Sequence, residues 1–144
     1  MQSPLSCPIR REVDVYVAMS RAREITTTLG MGDADRTRVE IAILELTRNI
    51  LVHAVEGQIE IVQITHPEHG LGIMIEAVDH GPGIADINLA LQDGYSTAHT
   101  LGAGLPGVRR LMDEFQIEST LGVGTRVRAV KWLHRPQRRM GYGD

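Results

Sequence analysis

The chain is poor in the side chains on which nucleic-acid binders and secreted scaffolds depend. Its 144 residues include one Trp, one Phe and three Tyr. Successive bases stack on aromatic platforms, so this scarcity argues against single-stranded nucleic-acid binding. A net charge of −3 supplies no basic footprint for duplex DNA. Cys7 is the only cysteine, which excludes an internal disulfide and points to a reduced, cytoplasmic setting. No charged-then-apolar leader opens the sequence, and no apolar run reaches the roughly 18 residues of a membrane span. Neither export nor membrane insertion is therefore expected.

The 42% of hydrophobic residues are almost all aliphatic. A chain of this size buries roughly 68–70% of its unfolded surface, enough for one core of Ile, Leu, Val, Met and Ala. Residues 1–10, with Pro4 and Pro8, read as a flexible lead-in. Residues 11–134 read as a single domain, and 135–144, rich in Arg and Gly, as a flexible tail. Val13, Val15 and Val17 alternate with Asp14 and Tyr16, which predicts a strand over 11–19. Ser20 then offers an N-cap for a helix that stops at Gly30. Apolar residues at Val39, Ala42, Ile43, Leu46, Ile50 and Ala54 predict a helix capped by Asp33 and running through roughly His53. Residues 58–65 and 71–78 read as a hairpin, 86–91 as a short helix and 105–114 as a further helix. Residues 115–120 and 125–133 read as strands around the turn at Gly122 and Gly124. Mostly antiparallel strands with grouped helices predict an α/β two-layer sandwich: an antiparallel-rich mixed sheet with its helices on one face.

Fifteen glycines punctuate this chain, and three punctuated segments carry chemistry. Glu45 and Asn49 lie four apart, hence on one helix face. The Asn amide oxygen is a hard ligand suited to Mg²⁺, and a carboxylate one turn earlier could orient or deprotonate a hydroxyl. Taken alone, the pair also fits a solvated helix face. Asp79 ends an apolar strand and is followed by Gly81 and Gly83. That arrangement offers an acceptor for the adenine amine beside a close backbone approach, or simply a turn. Gly102, Gly104 and Gly107 precede a helix whose first N–H groups suit phosphate, or they form the hinge of a lid. The same spacing matches the dinucleotide fingerprint, but the polar residues 95–101 stand where a strand is required. No Walker lysine follows either. His66 and His69 read as a surface turn, and Trp132 and Phe115 as core.

Together these segments resemble the GHKL, or Bergerat-fold, ATPases. Glu45 and Asn49 resemble the N box of that family. Asp79, Gly81 and Gly83 resemble its first glycine box, and Gly102 and Gly104 its second. Gly122, Gly124 and Thr125 are similar to the last shared turn, whose threonine supports the adenine-binding carboxylate. The resemblance spans about residues 12–133. Within the anti-sigma and switch-kinase branch, residues 93–97 and 102–115 look closest to the RsbT-type serine/threonine kinases. His80 departs from the smaller or acidic residue expected beside the first glycine box.

The resemblance implies a catalytic Glu45 and a metal-binding Asn49. It implies nucleotide contacts from Asn49, Asp79, Gly81, Gly83, Thr97, Gly102, Ala103, Gly104 and Thr125, under a lid of residues 87–101. It further implies ATP and Mg²⁺ as cofactors, phosphoryl transfer to a STAS-domain antagonist, and activation of a PP2C-type phosphatase in a stress-signalling partner switch. The alternative within the branch is an anti-sigma factor that sequesters a sigma subunit under ATP control.

Overall fold

The computed structural model describes residues 5–92 and 104–134. Along the chain run β1 (Leu5–Ile9), α1 (Glu12–Leu29), α2 (Asp33–His53), β2 (Gly57–His66), β3 (Gly70–Asp79), α3 (Ile87–Ala90), α4 (Gly104–Leu111), β4 (Glu114–Thr120) and β5 (Gly124–Trp132). The strands form one sheet in the order β1-β2-β3-β5-β4, and all four pairings are antiparallel.

Register sorts the side chains into two faces. Cys7, Ile59, Ala77, Val127 and Ile117 stand in one cross-strand row, and Ile61, Ile75, Ala129 and Phe115 occupy the next. These rows meet Ala18, Ala22 and Ile25 of α1, Val39, Ile43, Leu46 and Ile50 of α2, and Val108 of α4 in a single core. Each fully buried aliphatic side chain contributes about 1.5–3 kcal/mol relative to exposure. The opposite face carries Glu60, Glu76, Arg128 and Gln116 in one row and bears no helix among the described residues. The sandwich therefore has two layers, as the grouping of elements predicts.

Two local expectations fail near the N-terminus. The lead-in at Leu5–Ile9 is an edge strand paired with β2, and it buries Cys7 and Ile9. Residues 12–29 form one continuous helix instead of a strand followed by a helix capped by Ser20. The alternation of Val13, Val15 and Val17 misleads because only Val15 is buried; Val13 and Val17 face solvent. The operative pattern is Val15, Ala18, Ala22, Ile25 and Leu29, at three-four spacing. The start is set by Asp14, whose Oδ2 accepts the N–H groups of Arg10 and Arg11 at 2.9 Å each. Those two bonds, more than any charge nearby, hold the Asp14 carboxyl below the usual carboxylate range.

Trp132 is buried, but on the helix-free side of the sheet, under the rings of His66 and His69. His66 Nδ1 accepts the N–H groups of Glu68 and His69, so this histidine organises the β2–β3 turn. Phe115 is partly buried against the main core.

Candidate functional site

One cleft of about 700 Å³ opens between α2, the start of α4 and the C-terminal end of β3. Its floor is apolar, with Leu46 and Ile50 from α2, Ala77 from β3 and Val127 from β5. Its polar groups are few: Asn49, His53, Asp79, Asp86 and Thr125 line the same space. A mostly apolar slot with sparse, placed polar groups suits a flat heterocycle.

One part of the wall rests on a single row of the sheet. Asp79, Thr125 and Ser119 are direct neighbours on three adjacent strands. Asp79 Oδ1 accepts the N–H of Gly81 at 2.9 Å and that of Thr125 at 3.3 Å. Among the described residues nothing donates to Asp79 Oδ2. The carboxylate is thus oriented through one oxygen and keeps the other as an acceptor, which fits an amine-bearing base. Thr125 supports the carboxylate through its backbone N–H, because its hydroxyl lies 2.8 Å from Ser119 Oγ.

The glycines after Asp79 allow close packing. Gly83 has φ +80°, and a Cβ there would run into the Thr120 carbonyl. A Cβ on Gly124 would likewise strike the Asp79 carbonyl. The loop is therefore pressed against the β4–β5 turn, where Gly122 N–H also donates to Pro82 O at 2.9 Å. Gly83 lines the cleft, whereas Gly81 lies beside Ala54 and does not. His80 is exposed and off the cleft wall, so its departure from the family pattern leaves the wall unaltered.

Glu45 and Asn49 part company. Asn49 is half-buried and lines the cleft. Glu45 is only 1% exposed and lies off the wall, its Oε1 accepting Gly104 N–H at 3.2 Å. The N–H at the start of α4, expected for phosphate, is here engaged by a carboxylate, which suits the positive end of a helix. Gly104 itself lines the cleft. Thr97, Gly102 and Ala103, with the lid from residue 93 onward, lie outside the described residues. Sequence reasoning missed Ser119. The signal was available, since a short Gly122–Gly124 turn sets Ser119 directly opposite Thr125.

A helix-backed antiparallel sheet with a nucleotide-sized slot at the end of β3 defines a Bergerat-type ATPase domain. Residues 9–131 match the histidine kinase-like ATPase domain family, and the chain belongs to that family. It is 48% identical over 126 residues to the serine/threonine-protein kinase RsbT of Bacillus subtilis, across 87% of this chain and 93% of the relative. It is 36% identical over 98 residues to an anti-sigma F factor of Thermoanaerobacter, across 66% of this chain and 68% of that protein. In fold it is similar to the crystal structure of the RsbU and RsbW domains of a Mycobacterium tuberculosis protein. That match has a TM-score of 0.66 at 18% identity and covers 95% of this chain and 34% of the other.

Proposed function

We propose that this chain is an ATP-dependent serine/threonine protein kinase that works as a partner switch in bacterial stress signalling. Its substrate is a serine or threonine of a STAS-domain antagonist, and its second partner is a PP2C-type phosphatase that it activates. Two observations support this reading together. Asn49, Asp79, Gly83, Gly104 and Thr125 share one cleft, and the chain is 48% identical to a serine/threonine kinase along most of both proteins. A cytoplasmic location fits the free, buried Cys7. Among the described residues no helix is long and apolar enough to cross a membrane.

ATP with Mg²⁺, when bound, supplies the phosphoryl group and a cation that screens its charge. Asp79 accepts the base amine, while Gly81 and Gly83 shape the loop beside it. Asn49 would hold Mg²⁺ through its amide oxygen, a hard ligand suited to that cation. Among the described residues no group of three or more His, Cys, Asp or Glu is arranged as a metal site. Gly102, Ala103, Gly104 and Thr97 would be the phosphate contacts, and of these Gly104 lines the cleft. Glu45 would orient or deprotonate the incoming hydroxyl, a role that requires its bond to Gly104 N–H behind the cleft wall to open. Phosphoryl transfer needs placement and charge neutralisation more than covalent participation by the protein, and this residue set is of that kind.

The test is incubation with labelled ATP and a purified STAS-domain partner. Label on a partner serine or threonine is expected; bound nucleotide without transfer overturns the kinase reading. A second reading, an anti-sigma factor that sequesters a sigma subunit under ATP control, is favoured by the anti-sigma F factor relatives. Stable capture of a sigma subunit, with no STAS protein or phosphatase bound, would decide for it.

A further inference from the structure

The carboxylate suited to handling a hydroxyl and a backbone group suited to phosphate are engaged with each other. Glu45 Oε1 accepts Gly104 N–H at 3.2 Å in a buried contact, and Glu45 is only 1% exposed. Gly104 is the first residue of α4 and lines the cleft, whereas Glu45 does not. The N–H is therefore aimed behind the wall, although the residue that carries it stands on the wall. The pairing is electrostatically sound, because a carboxylate suits the positive end of a helix. Its length makes it weak. Bonds to a charged acceptor settle at about 2.7–2.9 Å, and about 3.2 Å is the far end of the ordinary N–H···O range. Gly104 also stands at φ +73°, and without a side chain its peptide can turn at little steric cost.

We propose that the Glu45–Gly104 bond is an autoinhibitory latch, closed until the phosphate end of a nucleotide takes Gly104 N–H. The inference rests on reading the cleft as an adenine-nucleotide site with phosphate at the start of α4. A backbone N–H is a single donor, so Glu45 and a phosphate oxygen compete for it. While the latch is closed, Glu45 Oε1 is occupied behind the wall and out of reach of an incoming hydroxyl. When Gly104 N–H changes partner, the Glu45 carboxylate is released one turn from Asn49, on the same face of α2. The base is thus set free only when a phosphate is in place. A base held at Asp79 alone makes no demand on Gly104 N–H and leaves the latch closed.

The experiment uses the full chain and requires no phosphoryl transfer. Glu45→Asp keeps the charge but draws the carboxylate back by about 1.5 Å, one carbon–carbon bond, from an N–H already at 3.2 Å. Glu45→Gln drops the charge and keeps an acceptor at the original reach. Melting curves without ligand check that both variants fold. The Gly104 amide resonance of wild type and Glu45→Asp is compared free, with adenosine, and with a non-hydrolysable ATP analogue and Mg²⁺. The two proteins should differ when free and with adenosine, and coincide with the analogue. By calorimetry, Glu45→Asp should bind the analogue about fivefold more tightly, since one net hydrogen bond no longer has to be broken, and bind adenosine unchanged. Resonances that coincide in the free proteins, or still differ with the analogue bound, overturn the latch. A tighter Glu45→Gln beside an unchanged Glu45→Asp makes Glu45 a mere source of charge repulsion and overturns it as well. Opening by adenosine alone overturns the coupling to phosphate. Failure of both ligands to bind overturns the nucleotide reading of the cleft, and the latch with it. A latch that opens as expected in a protein that transfers no phosphate supports the inference and removes only the kinase reading.

Discussion

Glu45 Oε1 accepts the backbone N–H of Gly104 at 3.2 Å, and this buried bond joins α2 to the first residue of α4 across 59 positions of chain. A residue expected to orient or deprotonate a hydroxyl thus also supports the helix that borders the cleft. Glu45→Ala removes a buried acceptor and should lower the unfolding free energy by about 1–3 kcal/mol in denaturant titrations, besides abolishing transfer. Glu45→Gln keeps an acceptor oxygen and loses the base. It should stay within about 1 kcal/mol of wild type, bind nucleotide and fail to transfer phosphate. An unstable Gln variant would mean that the charge, rather than the hydrogen bond, holds the start of α4.

Asp79→Asn separates orientation from recognition. The Asn oxygen can still accept from Gly81 N–H and Thr125 N–H, so melting without nucleotide should barely move. The second position becomes an NH₂ donor facing a donor on the base. ATP affinity should fall by about a hundredfold, the combined cost of a lost charge-assisted bond and an unmatched donor, as read by calorimetry. Normal ATP binding by this variant would remove Asp79 from the base site.

Gly83→Ala should both destabilise the fold and weaken nucleotide binding. The position has φ +80°, and the added methyl meets the Thr120 carbonyl, so the loop must lift from the β4–β5 turn. A loss of about 2 kcal/mol or more is expected in denaturant titrations. Wild-type stability in this variant would show that the loop is free to move.

Val55 stands at φ +72°, a backbone region hostile to a β-branched side chain, and it is 74% exposed. Little packing opposes the strain. Val55→Gly should raise the unfolding free energy by about 1 kcal/mol and leave nucleotide affinity unchanged. A loss of stability instead would show that the exposed valine makes contacts worth more than its strain.

Asp113 links the far end of the molecule to pH. Desolvation pushes its carboxyl up, but Trp132 N–H, His134 and Lys131 together outweigh that and hold it below the ordinary range. The folded value lies under the unfolded one, near about 4. Its contribution is therefore present above that pH and is lost as pH falls through the folded value. Asp113→Asn should be less stable at neutral pH and should lose less stability on acidification below about pH 4, measured by denaturant titrations across that range. Parallel pH profiles for the two proteins would assign acid sensitivity to other carboxylates.

The sequence was most legible where one local pattern had no rival. The helix over Asp33–His53 and the β2–β3 hairpin follow from their spacing and from polar turns, and the structure has them at those places. The N-terminal region was misread because Val13, Val15 and Val17 fit a strand as well as a helix. The deciding residues, Ala18 and Ala22, are small and weakly hydrophobic, and only packing against α2 and the sheet gives them weight. The strand at Leu5–Ile9 was illegible for a similar reason. Two prolines suggest a loop, yet an edge strand tolerates proline because one side of it needs no ladder.

By itself the sequence determined the chemistry available: which segments carry Asn49, Asp79, Gly104 and Thr125, and the family that contains them. Local spacing and residue type suffice for that, since each motif is a property of a few neighbouring residues. Only the tertiary structure decided which groups meet. It set Glu45 under the start of α4 and away from the cleft wall, and it put Asp79, Thr125 and Ser119 in one row on three strands. Such encounters depend on sheet register and helix packing, which arise from the whole core closing at once and from no single stretch of chain.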